Sequence, residues 1–265
     1  MLRLGVFAWF GYPLPLDKRL QTIKQVGFST TCLWFGNEEQ MVRDGHADEM
    51  PELVRNQGLQ LDNIHAPPEN SNLLWSDSKA SRSKIQQELI RVLSFCVKHH
   101  IPQMVMHVAR GENPPPVTHS GLQLIQGLLS QAENSGVIIA LENTKRNDYL
   151  DFVFSNIQSP NLGFCYDSGH DFISGQLQGK LLEKWGSLLV ATHLSDNFGI
   201  DDDHLLPGKG TIDWQAVEKH FPKGSYKGSL MLEVGGSDAS NALAPEEFLQ
   251  IGYQWLRQLA NAFNQ

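Results

Sequence analysis

The run Val137-Ile138-Ile139-Ala140-Leu141, ending on Glu142, decides the fold. It is fully apolar, as expected of a strand covered on both faces. Helical patterns flank it, at Leu122–Ala132 (closed near Gly136) and at Tyr149–Ser155. The same alternation extends in both directions. Strands are expected at Leu2–Ala8, Thr30–Phe35, Leu59–Ile64, Gln103–Met106, Leu162–Tyr166, Leu188–Thr192 and Ser229–Leu232. Helices are expected at Leu16–Val26, Glu49–Asn56, Lys84–His99, Leu177–Trp185, Trp214–His220 and Pro245–Ala260. The strongest helical signal is Lys84–His99, where Ile85, Leu89, Val92, Leu93 and Cys96 form one stripe. Alternating βα units imply a parallel sheet with helices outside. Eight such units of about 33 residues each, with no Gly-, Ser- or Pro-rich linker, imply an α/β fold of the closed (β/α)8 TIM barrel type. One domain over residues 1–265 is expected. The competing open, doubly wound sheet calls for a GxGxxG phosphate loop near the start, and the chain has none.

Composition agrees. Apolar residues make up 41% and charged residues 19%, an ordinary globular balance. Lys and Arg number 21 against 29 Asp and Glu, a net charge of −8, which argues against a uniformly basic nucleic-acid binder. Cys32, Cys96 and Cys165 show no paired spacing, so neither a disulfide framework nor a thiolate zinc site is indicated, and a reducing cytoplasm is expected. No apolar run reaches the roughly 18 residues of a membrane helix. The start, Met1 to Ala8, reads as a first strand rather than a cleaved leader.

A (β/α)8 barrel carries its site where the strands end. Here strand three ends at His65, strand four at His107, strand five at Glu142, and strand six at Asp167 with His170 three residues on. Strand seven ends at His193, with Asp202 and His204 in its loop, and strand eight ends at Glu233. Five of the ten histidines fall at these positions. Imidazole and carboxylate are the ligands of Zn, Mn, Fe and Co. Carboxylates crowded at one mouth repel unless a cation relieves them. Glu142 and Glu233 follow Ala140-Leu141 and Met231-Leu232, where an unpaired buried carboxylate is costly. The expectation is a metal site of Glu142, Asp167, His193 and Glu233. Taken singly, Asp167 reads more readily as a cap on the next turn than as a metal ligand. His46, His99, His100, His119 and His220 fall on helices or loops and are expected to be solvated.

At these residues the chain resembles the xylose isomerase-like TIM-barrel superfamily, which includes sugar isomerases and epimerases and the endonuclease IV type of DNA-repair enzyme. The resemblance rests on Leu141-Glu142-Asn143, Tyr166-Asp167-Ser168-Gly169-His170, His193-Leu194-Ser195-Asp196-Asn197, the loop from Asp202 to Asp213, and Leu232-Glu233. It implies one divalent ion, commonly Mn²⁺, on Glu142, Asp167, His193 and Glu233. It also implies that Glu142 and Glu233 are the acid/base pair of a sugar, polyol or sugar-phosphate isomerase or epimerase. Proton transfer would run through an enediolate. His65, His107 and His170 are then candidate substrate contacts. Lys209, between Gly208 and Gly210, is a candidate for a substrate phosphate, or the three simply form a tight loop. The sequence departs from the ketose 3-epimerase pattern at His204, where those enzymes carry Arg. In the endonuclease IV type, the positions matching His65, His107, Glu142, Asp167, His170, His193, Asp202, His204 and Glu233 bind three Zn²⁺. This implies the alternative of a multi-zinc phosphodiesterase acting on abasic DNA.

A nuclease must grip phosphates with mouth cations. Arg110, Lys145, Arg146 and Lys209 are the candidates, but Glu69, Glu112, Asp148, Asp201 and Asp203 share those loops, and solvated loop charge is the simpler reading. Trp9, Phe10, Trp34 and Phe35 suit either an apolar-walled small-molecule pocket or core. The expected partner is a small sugar-like molecule, with no nucleic acid and no membrane. A homo-oligomer is compatible with the sequence, and so is a non-enzymatic sugar-binding module. The loops after Phe10, Phe35, Ala66 and Gly199 are expected to shape the pocket.

Overall fold

The computed structural model describes residues 2–35, 46–235 and 243–263. The loop after Phe35 (36–45) lies outside them. Eight parallel strands form a nearly closed barrel: β1 (Arg3–Phe7), β2 (Thr30–Trp34), β3 (Gln60–His65), β4 (Gln103–His107), β5 (Ile138–Glu142), β6 (Leu162–Asp167), β7 (Leu189–His193) and β8 (Ser229–Leu232). The helices between them are α1 (Leu16–Val26), α2 (Met50–Asn56), α3 (Lys79–Lys98), α4 (His119–Ala132), α5 (Asn147–Asn156), α6 (Ser168–Ile173), α7 (Lys180–Trp185) and α8 (Trp214–His220). A last helix, α9 (Pro245–Phe263), packs beside α1. Strand order runs β7-β6-β5-β4-β3-β2-β1-β8, and β8 returns to pair with β1. This is the single-domain TIM barrel expected from the βα repeat.

The seam between β7 and β8 closes differently from the other pairs. The Thr192 hydroxyl donates to the Ser229 carbonyl (3.1 Å) and accepts from the Met231 amide (3.1 Å). Above it, Leu194 N–H donates to Met231 O (2.8 Å) and Glu233 N–H to Leu194 O (3.0 Å). A side chain thus does part of what a backbone ladder does elsewhere.

Strand alternation positions the site. Ile139, Leu141, Phe164 and Tyr166 belong to the large core that also takes in helix residues such as Leu93, Ile125, Leu128 and Val153. Val105, Ala140, Cys165 and Ala191 form a separate small cluster, as do Phe7, Cys32 and Met231. Side chains repeat direction every second residue along a strand. Two steps on from Val105, Ala140, Cys165, Ala191 and Met231 come His107, Glu142, Asp167, His193 and Glu233. The barrel interior therefore runs directly into the ring of polar side chains, and a one-residue slip would turn each outward.

Three local differences from the sequence expectation have physical causes. Helix α3 begins at Lys79, five residues before Lys84, because Ser78 caps it by accepting the Ser81 amide. Helix α7 begins at Lys180 rather than Leu177, because Gly179 sits at φ 79°, outside the helical region. Helix α6 has no apolar stripe to announce it. It forms because Asp167 accepts the His170 amide at 2.6 Å.

Candidate metal centre and substrate cleft

Strand register brings the candidate groups together in pairs: His107 lies opposite Glu142, Asp167 opposite His193, and Trp34 opposite His65. Glu142 is the hub. Its Oε2 lies 2.9 Å from His65 Nε2 and 3.1 Å from His193 Nδ1. Its Oε1 lies 3.2 Å from His170 Nδ1 and 3.4 Å from His107 Nε2. His193 Nδ1 is also 3.0 Å from Glu233 Oε2. Ligand atoms of Glu142, Asp167, His193 and Glu233 all fall within 4.8 Å of one another, as do those of His65, His107 and Glu142. A third group stands beside them, with Asp202 Oδ2 3.1 Å from both His170 Nε2 and His204 Nε2. The nine residues singled out in the sequence therefore meet at one end of the barrel. Lys209 does not join them; it is exposed and lines neither cavity described below.

The donor set fits a divalent cation. His65 Nδ1 donates to the carbonyl of Ala66 at 2.7 Å, so in the neutral ring Nε2 turns a lone pair toward Glu142 Oε2. Two acceptors facing each other at that distance need a shared cation or an extra proton. Buried atoms without a hydrogen bond concentrate here: both ring nitrogens of His107 and of His193, Glu142 Oε1, Asp167 Oδ2, Asp202 Oδ1 and Glu233 Oε2. Cys165 also places its sulfur beside Glu142 and His193, which the spacing of the cysteines gave no reason to expect. Burial pushes that thiol up to about 12.

Charge is unevenly distributed among these groups. Burial works against ionisation of Glu142, but the imidazoles of His193, His107 and His65 outweigh it and hold the carboxyl well below its usual range. Asp167 goes the other way. Burial raises it to about 7, and Glu142, Asp202 and Glu233 reinforce the rise against the pull of His170. A cation bound there must displace the Asp167 proton. Affinity for Mn²⁺ is therefore expected to rise with pH through about 7, at least tenfold per unit on the acid side, since His193 must give up a proton as well. Calorimetry in buffers of different ionisation enthalpy would register the released proton; a pH-independent affinity would remove Asp167 from the site.

Supporting groups fix these side chains. The Asn143 side chain donates to Asp167 O (2.8 Å) and accepts from Asp167 N (2.7 Å), tying β5 to β6 just where each ends. Asp171 accepts from Tyr166 Oη and from the Gly179 amide, both at 2.8 Å, holding the helix that carries His170. Asp196 accepts from the amides of Asn197, Gly208 and Ile212 and from the indole of Trp214, at 2.8–3.1 Å. It thereby organises the loop that carries Asp202 and His204. His204 adopts φ 51°, a strained value for a non-glycine, and is pinned there by its Nδ1 donating to Glu233 O at 3.1 Å. Asp196→Ala would strand three amides and an indole. It is expected to cost roughly 3 kcal/mol in chemical denaturation and to weaken metal binding about tenfold. Unchanged metal affinity would show that the loop does not depend on this carboxylate.

Two cavities meet at Trp34, His204 and Glu233. One, of about 420 Å³, is walled by Phe7, Trp9 and Trp34. The other, of about 320 Å³, is lined by His107, His170, Arg110, Thr144 and Lys145 among others. Of the four aromatics expected at the mouth, Trp9 and Trp34 line the cleft, whereas Phe10 and Phe35 are core. The Trp34 indole stacks on the His65 ring at 4.4 Å and 10°. Glu233 faces both cavities; Glu142 lies beneath and lines neither.

Fold and site together define a class, the parallel barrel whose rim gathers imidazoles and carboxylates around one axis. The chain belongs to the xylose isomerase-like TIM barrel family, whose model matches residues 20–259. It is 43% identical over 82 residues to an uncharacterized protein of Sinorhizobium fredii, a match covering 31% of this chain. The chain spans between 26% and 48% of the length of that protein and of two further uncharacterized relatives, from Methanocaldococcus jannaschii and Mycobacterium leprae. A fuller match, 21% identical over 251 residues, covers 88% of this chain and 90% of the fructoselysine 3-epimerase of Escherichia coli O157:H7. Among solved structures, an L-ribulose 3-epimerase superposes with a TM-score of 0.79 at 15% identity, covering 99% of this chain and 96% of that one. No helix among the described residues is long and apolar enough to cross a membrane.

Proposed function

We propose that the chain is an isomerase or epimerase of a small sugar or sugar-like hydroxy-carbonyl compound. The observation that carries this is that Glu233 and Glu142 both lie beside His193 Nδ1, at 3.0 and 3.1 Å, with Glu233 lining the two cavities that converge above them. Glu142, Asp167, His193 and Glu233 would hold a divalent ion, Mn²⁺ being the family precedent. When bound, such an ion polarises a carbonyl and stabilises negative charge on its oxygen. Glu233, at the cavity wall, takes the proton from the carbon beside the carbonyl, and Glu142 completes the acid/base pair from the barrel floor. Trp9 and Trp34 offer flat apolar surface to a sugar ring and exclude water. The structural likeness to sugar 3-epimerases and the full-length match to fructoselysine 3-epimerase support this reading. Three buried cysteines without a disulfide suit a reducing compartment such as the cytoplasm.

A second reading draws on one specific feature. The nine residues sort into two ligand groups that share Glu142 and a third in which Asp202 joins His170 and His204, which suits a multinuclear zinc site and phosphodiester hydrolysis. Metal analysis of protein purified without chelator separates the two. About one Mn-like ion per chain, with epimerisation of a ketose in a sugar panel, is the expected result. Two or three zinc ions with cleavage of abasic DNA would replace it.

A further inference from the structure

The mouth cations are not equivalent. Arg146 is spent on Asp148, through contacts of 2.9 and 2.7 Å, and on the carbonyl of Glu112 at 3.1 Å. Arg110 stands differently. Its backbone is fixed on both sides by Asn72, which accepts its N–H at 2.8 Å and donates to its C=O at 2.9 Å. Its guanidinium has no ion pair or hydrogen bond among the described residues, yet it lines the cavity that holds His107, His170 and Glu233. Lys145 lines the same cavity. Its only ion-pair partner among the described residues is Glu112, a largely exposed side chain that a ligand can displace at little cost. Gly111 lies between Arg110 and Glu112 at φ 77°, and nothing lies within 4 Å of where its Cβ would be. In a chain of net charge −8, these two cations line the same cavity as the carboxylates of Glu233 and Asp202.

We infer that Arg110 and Lys145 form an anion subsite, and that the substrate is an acidic sugar. Its phosphate or carboxylate group sits against these two residues while its reacting carbon lies at Glu233. The inference rests on the sugar reading for the identity of the ligand, but the cation pair can be tested without it. A guanidinium and an ammonium on one wall give charge-assisted hydrogen bonds to either group. They also orient the molecule, because the Glu233 and Asp202 carboxylates that share the cavity repel the same group.

The test is a titration by calorimetry of the protein as purified, and of the R110Q/K145Q variant. Ligands are a hexose, its 6-phosphate and its uronate. The wild type is expected to prefer a charged sugar over the neutral parent by about tenfold or more, and the double variant to lose that ratio. The 6-phosphate and uronate arms tell phosphate from carboxylate. Equal affinity for charged and neutral sugars, or a ratio that survives in R110Q/K145Q, overturns the subsite. Inorganic phosphate is titrated in parallel. Binding that the double variant loses belongs to the pair, whereas identical phosphate binding by both proteins refutes it, whatever the sugars do. If phosphate and acidic sugars bind through the pair but none is isomerised, the subsite stands and the isomerase reading fails.

Discussion

Replacing Glu142 by Gln is expected to abolish divalent-metal binding at the proposed centre and lower turnover by about 10⁴-fold. No other side chain in the site touches as many partners: four imidazoles, from β3, β4, β7 and helix α6, lie within 3.4 Å of its two oxygens. The amide keeps the shape and removes the charge, so the variant isolates electrostatics from packing. It leaves His193, whose protonation Glu142 and Glu233 favour against the cost of burial, with one carboxylate instead of two. Breaking a buried pair in this way costs about 3 kcal/mol or more, so the melting temperature should fall as well. Elemental analysis and a thermal melt on the same sample check both effects. Near-stoichiometric metal with near-normal turnover would remove Glu142 from the centre altogether.

Glu233→Gln should behave differently. Glu233 lines the cleft and has His193 as its one ion-pair partner among the described residues, so its replacement should cost less stability than that of Glu142. Turnover should drop by roughly 10³-fold or more, since a group that exchanges a proton with substrate is lost along with one ligand. Exchange of solvent deuterium into the substrate carbon is the sharper readout. It should vanish with turnover if Glu233 removes the proton. Exchange continuing at the normal rate would assign that step to another group.

Much of this was legible in the chain itself. An apolar run followed directly by an ionisable residue, repeated from His65 to Glu233, carries both the barrel and the ring of imidazoles and carboxylates, because a strand end is one place in three dimensions. The register adds what order alone cannot: His107 beside Glu142, and Asp167 beside His193. The supporting groups were not legible. Asp196 acts through amides 12 and 16 residues further on, partners that carry no side-chain signature. Nor does sequence tell Arg110 from Arg146, two loop cations alike in type. Only the position of Asp148 beside one and of Asn72 against the backbone of the other separates them.

The hand-off at Thr192 has one more consequence. The two staves that meet there each carry a proposed ligand, His193 from one and Glu233 from the other, and the two side chains approach to 3.0 Å. Any ion they share would act as a stitch across the join of the cylinder that a side chain helps to close. Chelation would then loosen the wall as well as empty the site, baring two strand edges to unwanted pairing with other chains. Catalytic competence and resistance to aggregation would rise and fall together in this protein.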